Sequence, residues 1–147
     1  MGGGGLVRAD DGPELARFFL ANGEGFLPSP AAVDGRDAGD VCYGTAIAAE
    51  LALKAFLLSQ GWNDDRCCRD VRHDLERGLS SAREAGLSGT VSELADVVAM
   101  LNVYYPRHAF DRFVLPGGDA TFPSRAREAV AGLIDIVRPY VEASGGR

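Results

Sequence analysis

One stretch limits the folds open to this chain. From Ala38 to Gln60 the sequence is apolar on nearly every face of a helix. Val41, Ile47, Leu51, Leu53, Phe56, Leu57 and Leu58 leave no wide polar stripe. A helix of that kind needs protein on most sides, so it has to lie at the centre of whatever the chain builds. No stretch of the chain alternates apolar and polar residues with period two for long enough to argue a strand. The chain therefore reads as all-α, with the other helices arranged around residues 38–60.

Those other helices are marked by period and by end signals. Pro13 to Asn22 reads as a short N-terminal helix with Leu15, Phe18 and Phe19 on its apolar face; Gly23 is the expected stop. Residues 23–37 hold several Gly and Pro breakers and read as loop, with one helical turn after Ser29–Pro30. The segment 61–72 reads as a polar, charged connection. A helix follows from Asp74, the natural N-cap, to Ala85, and Gly86 ends it. Thr90 and Glu93 form a capping-box pair ahead of Leu94, Val97, Val98, Leu101 and Tyr105. Pro106 stops that helix. After a long loop over 107–122, Pro123 to Ala143 repeats Ala126, Val130, Leu133, Val137 and Tyr140 at helical spacing, with Pro139 inside it. The sum is an antiparallel four-helix-type bundle with a short extra N-terminal helix. Residues 1–9 are expected to be a flexible tail and 10–147 a single domain.

Charge and cysteine usage narrow the function classes. The net charge of -6 repels nucleic acid overall, so any RNA contact has to use a local basic patch. Lys54 is the only lysine beside fourteen arginines. That bias, with many Gly and Ala, fits a GC-rich bacterial genome. No run of eighteen apolar residues argues a membrane span, and the first residues hold no hydrophobic signal core. Cys42, Cys67 and Cys68 are odd in number, which fits reduced thiols in a cytoplasm.

At this point the residues resemble a family. Glu50-Leu51-Ala52-Leu53-Lys54-Ala55-Phe56-Leu57 is followed by a short charged connection and by His73-Asp74-Leu75 opening a helix. Leu79, Ala82 and Gly86 come downstream, and Tyr104-Tyr105-Pro106-Arg107 closes the next helix. In order and spacing, over roughly residues 38–143, this resembles the HEPN superfamily (higher eukaryote and prokaryote nucleotide-binding domains), closest to members with an H-D-L helix start. The resemblance implies a four- or five-helix bundle that pairs as a homodimer. It implies an RNA, nucleotide or other phosphate ligand, or a partner-binding role that includes nucleotidyltransferase partners in toxin–antitoxin pairs. It also implies, as an alternative, a metal-independent ribonuclease of the R-x4-6-H kind. Arg66 and His73 carry that spacing here, although the family motif usually lies later in the bundle. Related families often show Arg-Tyr-Pro where this chain has Pro106-Arg107-His108.

The candidate chemistry rests on few side chains. His73 and His108 are the only histidines. An imidazole with a pKa near 6.5 moves protons at neutral pH, and an arginine such as Arg66 holds charge growing on a phosphate. Those two are the candidate catalytic pair. The candidate ligand-binding residues are Glu50, Lys54, His73, Asp74, Arg107 and His108. Glu50 and Lys54 also form a helix-stabilising pair at i, i+4, and Asp74 with His73 caps a helix start that attracts phosphate. Tyr105 and Arg112 stand near Arg107; Arg69 and Arg72 stand near Arg66. Cys67-Cys68 offers no C-x2-C spacing, so neither a metal nor a cofactor is expected. Trp62 reads as a packing lid.

Overall fold

The computed structural model describes residues 8–144. Among them are seven α-helices: α1 (Arg8–Phe26), α2 (Pro30–Gly35), α3 (Ala38–Ser59), α4 (Asp64–Asp70), α5 (Leu75–Glu84), α6 (Glu93–Asn102) and α7 (Phe122–Ser144). Three 3₁₀ turns, Tyr105–Arg107, Phe110–Arg112 and Pro116–Gly118, fill the connection between α6 and α7. The described residues include no strand. The expected tail over 1–9 lies mostly outside this range, and Arg8 and Ala9 belong to the first turn of α1.

The apolar stretch does form the central helix. Asp37 caps α3 by accepting the amides of Gly39 at 3.0 Å and Asp40 at 3.3 Å. Helices α1, α5, α6 and α7 all pack on it. Phe56, Leu53 and Leu57 are essentially inaccessible to solvent. Burying each of them contributes about 1.5–3 kcal/mol. By length and composition α3 is apolar enough to cross a membrane, yet 78% of its apolar window is buried inside the protein. Its apolar faces are already covered by the other helices, as a core helix requires.

Several ends differ from the sequence expectation, each for a physical reason. Gly23 does not stop α1, which runs on to Phe26. A Cβ there would lie 3.3 Å from the Ala48 carbonyl and 3.4 Å from the Leu51 Cβ, so this glycine lets α1 cross α3 closely. The segment 61–72 is more than a connection. Asn63 accepts the Arg66 amide at 2.8 Å, Asp64 and Asp65 occupy the first turn, and Cys67 anchors α4 in the core. The Thr90–Glu93 box does not form. Glu93 pairs instead with Arg125 of α7, and Thr90 is the acceptor for Arg83 at 3.5 Å. Helix α6 stops at Asn102, because Val103 and Tyr104 tighten to bonds with Met100 and Leu101 before Pro106 removes a donor.

Candidate functional site

The centre of the site is a carboxylate that the protein almost hides. Glu50 sits midway along α3 and is 8% exposed; Lys54, one turn on, is 7% exposed. The Lys54 Nζ donates to Glu50 Oε2 at 2.7 Å. The other oxygen, Oε1, accepts the Tyr105 hydroxyl at 2.7 Å and faces His73 Nδ1 at 3.0 Å. Among the described residues no buried side-chain polar atom lacks a partner.

These contacts set the protonation states. Burial pushes the Glu50 carboxyl upward, but the hydrogen bonds from His73, Lys54 and Tyr105 and the Lys54 charge outweigh it. Its pKa falls below the ordinary carboxyl value, so Glu50 is ionised at neutral pH. An ionised carboxylate only accepts, so the proton of the shared bond lies on His73 Nδ1. The Tyr105 hydroxyl is held well above the usual phenol range by burial and by its bond to Glu50, and it stays a donor. His73 is thereby fixed in orientation with Nε2 left over. Its side chain is 59% exposed, so that nitrogen belongs to an accessible ring.

Two tight turns bring the partners together. His73 lies in the short link between α4 and α5, after Arg72 at φ 57. His108 closes the 3₁₀ turn Tyr105–Arg107 at φ 53. Among the described residues these are the only non-glycine positions with positive φ, and both border this site. Such backbone costs roughly 1–3 kcal/mol each and gathers where function holds it. The two imidazole rings stand 6.4 Å apart, centroid to centroid. His73 also meets the edge of Tyr105 at 6.1 Å.

Asn102, which sequence reading did not single out, joins the two turns. From the end of α6 its side-chain oxygen accepts the Leu75 amide at 2.8 Å. Its nitrogen donates to Asp74 at 3.0 Å and Glu76 at 3.2 Å. The start of α5 and the end of α6 are thus tied, and His73 and His108 follow. In the sequence Asn102 is a polar residue between Leu101 and Tyr105 of an apolar stripe, which on its own reads as an exposed position of the helix.

The remaining candidates fall in different places. Asp74 is the N-cap of α5, accepting the Arg77 amide at 3.1 Å. Arg107 is exposed, as is Arg72, and neither forms an ion pair with a described side chain. Arg66 engages other partners than His73 does. Its guanidinium lies over the Trp62 ring, 3.7 Å from the centroid, and its Nε is 3.4 Å from Asp70. Burial raises the Cys42 thiol to about 12 and the Cys67 thiol to about 11, so both remain protonated and unreactive. Among the described residues no three His, Cys, Asp or Glu side chains gather at one point.

Chemically the arrangement presents an accessible imidazole oriented by a buried carboxylate, a second exposed imidazole beside it, and exposed guanidinium-bearing residues next to each in the chain. No family model, no curated protein and no solved structure matches this chain.

Proposed function

We propose that the protein is a HEPN-like antiparallel bundle that works as a homodimer and binds a phosphate-bearing ligand, RNA or nucleotide, on the face carrying His73 and His108. The supporting observation is the Glu50-oriented His73 with the His108 ring 6.4 Å away, flanked by exposed Arg72 and Arg107. Guanidinium groups donate hydrogen bonds to phosphate oxygens, and the Nε2 of His73, whose Nδ1 proton is held by Glu50, donates one when the ring is protonated. Glu50 and Lys54 cancel each other, so the buried layer beneath adds no net repulsion. In a chain of net charge -6, this local set is the kind of patch an RNA contact needs.

The alternative, a metal-independent ribonuclease using Arg66 and His73, draws less support. Arg66 is occupied by Trp62 and Asp70 while His73 is occupied by Glu50. A purely partner-binding module is the reading left if no phosphate ligand is held.

Binding of a labelled single-stranded RNA and of ATP tests the proposal, measured by fluorescence anisotropy over a salt series. Replacing Arg107 with alanine is expected to weaken binding and reduce the salt slope by about 1. The His73→Ala and His108→Ala variants are expected to weaken binding as well. Wild-type protein that holds neither ligand at low salt would remove the phosphate reading. A monomer mass in light scattering at micromolar concentration would remove the dimer.

A further inference from the structure

The two histidines have a second property that phosphate binding does not use. A carboxylate that accepts a hydrogen bond from the Nδ1–H of an imidazole fixes the tautomer with its lone pair on Nε2, the form that ligates a metal, and raises its basicity. Glu50 holds His73 in this way at 3.0 Å. The second imidazole, His108, comes from a turn thirty-five residues further along and still stands 6.4 Å away.

The distance fits a shared ion. Metal–imidazole bonds of about 2.0–2.1 Å place an ion about 3 Å from each ring centroid. Two rings on opposite sides of one ion are then about 6 Å apart, and about 5 Å apart in a tetrahedral arrangement. The observed separation, with the ring planes at 62°, suits rings placed across one ion, and rotation of the exposed His108 ring against the Glu50-held His73 reaches the tetrahedral case. Two histidines leave the other positions to water, so the site is open. Glu50 neutralises Lys54 beneath the rings, and the repulsion of a dication by the exposed Arg72 and Arg107 falls as salt screens it.

We propose that His73 and His108 together bind an imidazole-preferring divalent transition metal, of which nickel(II) is the probe, with Glu50 as the outer carboxylate that orients His73. This goes beyond the phosphate reading, although it uses the same two rings.

Calorimetric titration of the purified protein with nickel chloride tests it. One ion per chain is expected. The His73→Ala and His108→Ala variants, both changed at exposed side chains, should each bind at least about tenfold more weakly. The Glu50→Gln variant, with its fold checked by circular dichroism, should bind about tenfold more weakly. Cys68→Ser should bind as the wild type does. Wild-type protein that takes up no nickel, or histidine variants that bind as tightly as the wild type, would overturn the site. RNA or ATP binding repeated with a chelator separates the two proposals. Ligand held in chelator by a protein that binds no nickel leaves the phosphate reading standing and removes the metal.

Discussion

At the scale of single residues, Glu50 decides more than any other side chain. Its pairing with Lys54 was legible, because four residues along a helix place two side chains together. Its bonds to His73 and Tyr105 were not. Those partners lie 23 and 55 residues away, and only the packing of other elements brings them close. The burial was also hidden, since spacing alone does not distinguish a solvated pair from a covered one. The energetic consequence is large. Removing one partner of a buried ion pair strands the other charge and costs about 3–5 kcal/mol, whereas replacing both with apolar residues is often near neutral. Urea denaturation should therefore find Lys54→Met strongly destabilised, and Glu50→Leu with Lys54→Met together destabilised by less than the sum of the two singles, the Tyr105 hydroxyl being left without its acceptor in both variants that lack Glu50. A double variant as unstable as the sum of the singles would count against a coupled buried pair. A pH dependence follows with a definite sign. The folded pKa of Glu50 is depressed, so its contribution is complete above its unfolded value near 4.3 and is lost as pH falls through the folded value. Below about pH 4 the gap in stability between the wild type and Glu50→Gln should shrink. A gap that stays constant on acidification would mean that the carboxylate is not the titrating group.

At the scale of elements, the clearest parts of the sequence were the helices with strong period and a cap. The Asp74 cap, the Ala38 start of α3 and the single turn after Ser29 all stand where the residues put them. What sequence reasoning missed was α4 and the ends near the site. Helix α4 has only seven residues and one buried side chain, Cys67, so it shows no apolar stripe to read. Helix α6 carries one that continues to Tyr105, yet the backbone tightens after Asn102. That early stop frees Asn102 to serve another helix, a tertiary contact invisible to local pattern. Asn102→Ala would leave the Leu75 amide without its acceptor and Asp74 with the Arg77 amide alone. A loss of about 1–3 kcal/mol is expected from an unsatisfied, partly buried donor. The same variant should loosen the His73–His108 pairing, so nitrogen-15 NMR of the two rings should report a changed environment for both. An unchanged melting curve together with unchanged imidazole signals would mean that the tie between α5 and α6 carries no weight.

At the scale of the molecule, the apolar stretch that opens the fold also predicts how it comes apart. Helix α3 touches α1, α5, α6 and α7, so none of them leaves without exposing part of it. Fifteen of its residues are buried. Its amides can exchange with solvent only when the whole core opens, because no smaller opening uncovers the helix on all sides. Helix α4 is held differently, by the Asn63 cap and the Cys67 anchor, and its other side chains are exposed apart from the half-buried Asp70. It can open while the core stays closed. Native-state hydrogen exchange should accordingly place the α3 amides at the free energy of global unfolding and those of α4 well below it. The site inherits this contrast. Glu50 and Lys54 are fixed on the most buried helix, while His73 follows a helix with a single buried side chain and is tied back through Asn102 and Glu50. A ligand that bridges His73 and His108 should then raise the protection of α4 amides more than that of α3 amides. Equal protection of the two helices in the free protein would show that the molecule unfolds as one unit, and the imidazole pair would have no local motion for a ligand to quench.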